Sequence, residues 1–185
     1  LLIIAAIDLP YQIVSFNNKL KMSRQEIKDE YKESEGRPEV KAKIRERQRA
    51  VAMNQMMASI ADADVIVTNP SHFAVALAYE PGSSQAPIVL AKGADILAAS
   101  IREKAGEIQV PIFESPYLAR AIYFTTEIKR EIPVPLYRAV AEVIAYIFQL
   151  NELRKDGTKL CKPKVKIPSS MLFDSTGKLV EGGTS

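Results

Sequence analysis

The chain has 185 residues, of which 47% are hydrophobic and 25% charged, and its net charge is +3. That length favours one domain with extensions over two full domains, and so small a charge gives no argument for nucleic acid as a partner. The single cysteine, Cys161, excludes an internal disulfide, and one cysteine with one histidine cannot assemble a zinc site without several carboxylates.

The first element is an unbroken apolar run from Leu1 to Ile7, ended by Asp8, Leu9 and Pro10. It is far short of the roughly 20 residues that cross a bilayer, and it lacks the basic start and small-residue cleavage site of a secretory signal. Two readings fit: the tail of a transmembrane helix in a longer protein (residues 1–10), or an ordinary buried helix end. Residues 11–57 read as a charged helical linker. Between Lys19 and Arg49 lie eleven basic and seven acidic residues, and Lys41, Arg45 and Arg49 recur every four residues. That spacing puts a basic stripe on a helix, interrupted upstream by Gly36, Arg37 and Pro38. The stripe could lean on anionic lipid, at about 1 kcal/mol per basic residue close to the surface, or serve only as a solvated face. Met53, Met56, Met57 and Ile60 then follow helical spacing, where the linker meets a core.

Residues 58–153 carry the pattern of a compact α/β domain. Val65 to Thr68, Phe73 to Tyr79, Ile88 to Ala91 and Val110 to Glu114 are short runs with strand character. Ala94 to Glu107 is helical, Ser115-Pro116 is a helix start, and Leu136, Val140, Val143, Ile144, Ile147 and Leu150 make one apolar helix face. The expected architecture is a small central sheet of about four strands surrounded by helices and preceded by the long charged helical linker. Residues 154–185 are polar and basic, and read as a flexible tail.

Between the first two strands stands Asn69-Pro70-Ser71-His72. Asn-Pro is first a turn signal. It also directs asparagine chemistry: proline has no N–H, so the usual attack of the next backbone nitrogen on the side chain is closed. The remaining ring closure sends the Asn69 side-chain nitrogen onto its own main-chain carbonyl carbon and expels Pro70. Neither metal nor cofactor is needed. The Ser71 hydroxyl can fix the turn, and the His72 imidazole is the side-chain type suited to moving a proton near neutral pH. Two bland alternatives remain: a plain turn in a binding module, and a hydrolase using Ser71 and His72. The second is weakened because no third group that would orient the histidine is evident.

The same residues resemble the Asn-Pro-Thr-His cleavage motif of the FlhB/YscU family of type III secretion gate proteins. The resemblance extends through Met22–Glu30, Lys32–Gly36, Asp64–Pro70, His72–Leu77, Ala91–Ala94 and Leu118–Ala121, and it is closest to the flagellar branch. Ser71 departs from the family threonine, keeping the hydroxyl and losing a methyl. The resemblance implies a membrane-anchored protein of the bacterial inner membrane with this part on the cytoplasmic side. It further implies a single-turnover self-cleavage between Asn69 and Pro70 rather than a turnover enzyme, both pieces staying in one fold. Cleavage would let export change from rod and hook substrates to filament substrates. Implied partners are the other export-gate proteins, the hook-length control protein and the export substrates. Ala86, Pro87, Ala141 and Ile144 match positions expected to receive short apolar substrate motifs, although Ile144 also lies on the predicted core face.

Overall fold

The computed structural model describes residues 8, 10–17, 38–70, 72–80, 86–153 and 161–180. The apolar run at 1–7, the motifs at 22–30 and 32–36, and Ser71 itself lie outside the described residues. The chain divides into two compact units, Leu1–Val51 and Ala52–Ser185.

In the first unit, residues 10–17 are helical, and a helix α1 (Pro38–Ala58) begins there and runs on into the second. Proline suits the first turn of α1 because its missing N–H has no intrahelical partner there. No residue of α1 is buried, and Lys41, Arg45 and Arg49 are exposed on it, on the helix their spacing predicts. Among the described residues no helix is long and apolar enough to cross a membrane.

The second unit is built on a four-stranded mixed sheet in the order β3-β2-β1-β4. Its strands are β1 (Val65–Asn69), β2 (Phe73–Ala78), β3 (Ile88–Ala94) and β4 (Ile112–Glu114). β1 pairs antiparallel with β2 and parallel with β4, and β2 pairs antiparallel with β3. The helices are α2 (Asp95–Glu107), α3 (Pro116–Thr125) and α4 (Tyr137–Leu153). The α/β architecture with about four strands is as expected.

Alternation along the strands sends side chains to two separate cores. Val65, Val67, Val75, Leu77, Val89 and Phe113 face a core shared with α3 and α4. Ile66, Ala74, Ala76 and Ala91 face the other, closed by Ala98, Ile101 and Ala105 of α2. Small residues on this second face let α2 approach closely. Gly93 marks the tightest point, where an added Cβ would stand 2.6 Å from Leu97 Cγ. Met56 and Met57 pack against this core as their spacing predicts, whereas Met53 stays exposed. The outer edge of β3 is covered by residues 129–132: Lys129 N–H donates to the Val89 carbonyl (2.7 Å), Val89 N–H to that of Arg130 (3.0 Å) and Ile132 N–H to that of Pro87 (3.0 Å).

Of the tail, residues 161–180 are described. Residues 161–180 lie against the fold, with Val165, Ile167, Met171 and Phe173 half-buried on the α3/α4 core. Phe173 stacks at 5.8 Å on Phe124, and Lys162 Nζ sits 4.9 Å from the Phe113 ring centre. The tail closes with a small turn in which Asp174 accepts hydrogen bonds from the Thr176 hydroxyl (2.8 Å) and from the Thr176 and Lys178 N–H groups. These bonds, the Thr176 hydroxyl first, hold the Asp174 carboxyl below the ordinary aspartate value. Gly177, at φ +84°, lies beneath the Phe124 ring.

Candidate functional site

β1 and β2 are neighbours in sequence and pair antiparallel. Asn69 is the last residue of β1 and pairs with Phe73, the first of β2. His72 N–H donates to the Asn69 carbonyl at 3.0 Å, the i to i+3 bond that closes a β-turn. Asn69 is half-buried and Pro70 and His72 are exposed, so the turn stands at the rim of the sheet. His72 therefore belongs to the turn and not to the strand.

Upstream, the backbone is held by the sheet itself. Thr68 is buried, pairs with Ala74 and Glu114 on its two sides, and its carbonyl accepts the Ser115 N–H at 2.9 Å. Downstream, the turn is held by α2. Asp95 N–H donates to the His72 carbonyl at 2.8 Å, and the Asp95 carboxylate lies 3.6 Å from His72 Nδ1. Two turns along α2, on the same side, the Arg102 guanidinium donates to the Pro70 carbonyl.

Asp95 and Arg102 were not found by the sequence reading. Asp95 directly follows the Ala91–Ala94 stretch, whose parts now have separate tasks. Lys92 Nζ donates to the Tyr123 and Thr126 carbonyls (3.1 and 2.8 Å) at the C-terminus of α3, a favourable place for a cation. Gly93 admits α2, and Asp95 starts it. Phe73 anchors the far end of the turn, stacking on Tyr123 at 4.6 Å and Phe124 at 5.3 Å.

Chemically, the Asn69 carbonyl is the centre of this arrangement. A backbone N–H directed at it polarises the carbon and stands ready for the negative charge that a tetrahedral adduct would place on the oxygen. Among the described residues no group of three or more His, Cys, Asp or Glu side chains could hold a metal ion.

The proposed docking residues are placed as follows. Ala141 is exposed and Ala86 half-buried. Pro87 is buried, its carbonyl accepting the Ile132 N–H, and Ile144 is only 5% exposed within the α3/α4 core, as the core-face reading of that helix predicts.

Residues 1–147 match the family described as "FlhB HrpN YscU SpaS Family". The chain belongs to that family. Two relatives, both named flagellar biosynthetic protein FlhB, are 53% identical over 150 residues in Salmonella typhimurium and 48% identical over 161 residues in Yersinia enterocolitica. These alignments cover 81% and 87% of this chain but 39% and 42% of the relatives, so the chain spans about two fifths of their length. In structure it resembles the crystal structure of the cytoplasmic domain of FlhB from Shewanella putrefaciens, at a TM-score of 0.61 and 44% identity, over 65% of this chain and 95% of that one. The FlhB/YscU membership places the Asn69–His72 turn, Lys92 and Gly93 within the segment that matches the family.

Proposed function

We propose that this chain is the cytoplasmic part of a flagellar type III protein export component, and that it severs its own backbone once, between Asn69 and Pro70. Family membership and the flagellar relatives support the first half. The second half is carried by one observation: an Asn-Pro bond in a closed turn between sheet strands, with the His72 N–H on the Asn69 carbonyl at 3.0 Å.

The Asn69 side-chain nitrogen attacks its own carbonyl carbon, and the resulting oxyanion is met by the His72 N–H. A proton leaves the attacking nitrogen and one is delivered to the Pro70 nitrogen, with the His72 imidazole as the shuttle and the Ser71 hydroxyl as an aid to the turn. The C–N bond then breaks. Pro70 becomes a secondary amine, and residue 69 a succinimide that water opens to asparagine or its iso form. If the unassisted event takes on the order of months and the cell needs it within about an hour, the fold must supply about 4–5.5 kcal/mol. Orientation alone can supply roughly 7–11 kcal/mol, so positioning is sufficient.

Because β1 has a neighbour on each side, the cut leaves the pieces paired, and the change is a local gain in freedom at the turn. That freedom would let the export machinery pass from rod and hook substrates to filament substrates. The hook-length control protein and the other gate proteins are its expected partners in an inner-membrane assembly. The test is the intact mass of the 185-residue chain under denaturing conditions. Two fragments meeting at 69/70 are expected, and Asn69→Ala should give one 20.5 kDa chain. A wild-type chain that stays whole on prolonged storage, or an Asn69→Ala variant that still splits, overturns the mechanism.

A further inference from the structure

We propose that the α3/α4 side of the second unit is a peptide-binding surface. Its ligand is an extended, proline-containing segment with apolar side chains at alternate positions, and the tail at residues 161–180 is such a ligand held in cis. The proposal does not depend on the self-cleavage reading.

The tail shows what the surface accepts. Pro163, Val165 and Ile167 are half-buried, and Lys162, Lys164, Lys166 and Pro168 between and around them are exposed. Pro168, at φ −58° and ψ 141°, has polyproline geometry, an extended form that needs no internal hydrogen bonds. Val165 and Ile167 pack on the core shared by α3 and α4, followed by Met171 and Phe173. Aromatic rings mark both ends of the seat. Lys162 Nζ lies 4.9 Å from the Phe113 ring centre, and that ring is itself in edge contact with Tyr146 at 5.8 Å. At the other end Phe173 meets Phe124 at 5.8 Å. Aromatic-lined seats suit extended proline-bearing peptides, because such a ligand is preformed and its ordering costs little entropy.

The manner of attachment sets the tail apart from the core elements. Pro163 and Pro168 have no N–H to give to a strand ladder. Among the described residues every hydrogen bond made by the tail stays within it, from Met171 N–H on the Pro168 carbonyl to Val180 N–H on the Leu172 carbonyl. Side chains alone hold it to the body, through apolar packing and one cation–π contact. A segment held without backbone bonds belongs to the parts of a protein that open at low free-energy cost. Opening bares an apolar strip between Phe113 and Phe124, and an exposed strip of that kind marks a site for a partner. The tail is thus a built-in competitor, and a partner carrying a like segment must displace it.

The test uses the full 185-residue chain and, as probe, a fluorescein-labelled peptide of residues 161–180. A segment tethered in cis competes at an effective concentration on the order of 1 mM. A chain carrying Val165→Ser, Ile167→Ser and Phe173→Ser together should therefore bind the probe about ten- to a hundredfold more tightly than the unaltered chain, read by fluorescence anisotropy. A probe with Val165→Ser and Ile167→Ser should lose most of that binding. A second measurement needs no variant chain. Gly177 lies against the Phe124 ring, so its amide signal in the isotope-labelled wild-type chain carries a ring-current shift. Unlabelled probe peptide at about 5 mM, in excess over the effective concentration of the tail, should move that signal toward the position of a free chain. A triple variant that binds the probe no more tightly than wild type, a doubly substituted probe that binds as well as the original, or a Gly177 signal that the peptide leaves in place overturns the proposal.

Discussion

Strand β1 lies between two neighbouring strands and sends Val65, Ile66 and Val67 into two cores, whereas Pro70 and His72 are held through one helix by two hydrogen bonds and the nearby Asp95 carboxylate. The first kind of support is buried backbone ladder; the second is exposed and made largely by side chains. Under the proposed self-cleavage, the contrast would let one peptide bond be placed for reaction without the fold depending on it. The strand before the bond carries stability, and the residues after it carry orientation.

The sharpest way to break this contrast is to weaken the strand side. Ile66 is fully buried against α2, so Ile66→Ala should cost about 2–5 kcal/mol in global stability, read by denaturant unfolding in the Asn69→Ala background. Arg102→Met in the same background should change it by less than about 0.5 kcal/mol. Equal losses would erase the distinction. A smaller effect is expected at the seam that carries α2. Gly93→Ala would drive a methyl toward Leu97 Cγ at 2.6 Å and Ile101 Cδ1 at 2.9 Å, costing about 1–3 kcal/mol and shifting Asp95 and Arg102 with the helix. Scission in that variant should slow together with the stability loss.

The smallest effect concerns the tail, which borders the anchor of the turn through Phe173, Phe124 and Phe73. The Asp174 carboxyl is held below its ordinary value, so its contribution to the folded tail is present above the usual aspartate range. It is lost as pH falls through the lowered folded value. Acidification into that range should loosen residues 173–179, seen as exchange broadening of the Gly177 amide in an NMR titration, and Asp174→Asn should remove the dependence. The strand pairing at 65–69 should not respond.

Much of this was legible along the chain. β1 could be read because a strand buried on both faces has to be an uninterrupted β-branched run, and Val65-Ile66-Val67 is one. The Asn69-Pro70 turn was legible because both residue types are turn-specific. The face of α4 was equally plain, and its periodicity already placed Ile144 inside. Asp95 and Arg102 could not be read. Arg102 meets Pro70 across 32 residues, and an arginine on an amphipathic helix resembles any solvated charge until the fold brings the turn to it. The apolar contacts of residues 165–173 went unread for a different reason. Val165 and Ile167 alternate with Lys164 and Lys166 among prolines, a pattern dominated by charge, although its period of two already marked one side as apolar.

The order of the strands also has a consequence for when the site can exist. Thr68 and Asn69 leave the ribosome well before Arg102, and Arg102 before Ser115, whose N–H completes the outer side of β1. A nascent chain that ends short of α2 has no guanidinium for the turn, and one that ends short of β4 leaves β1 as an unfinished edge. If the bond at 69/70 breaks by the route proposed, it does so only in molecules whose synthesis has passed most of the domain, and stalled products would be spared.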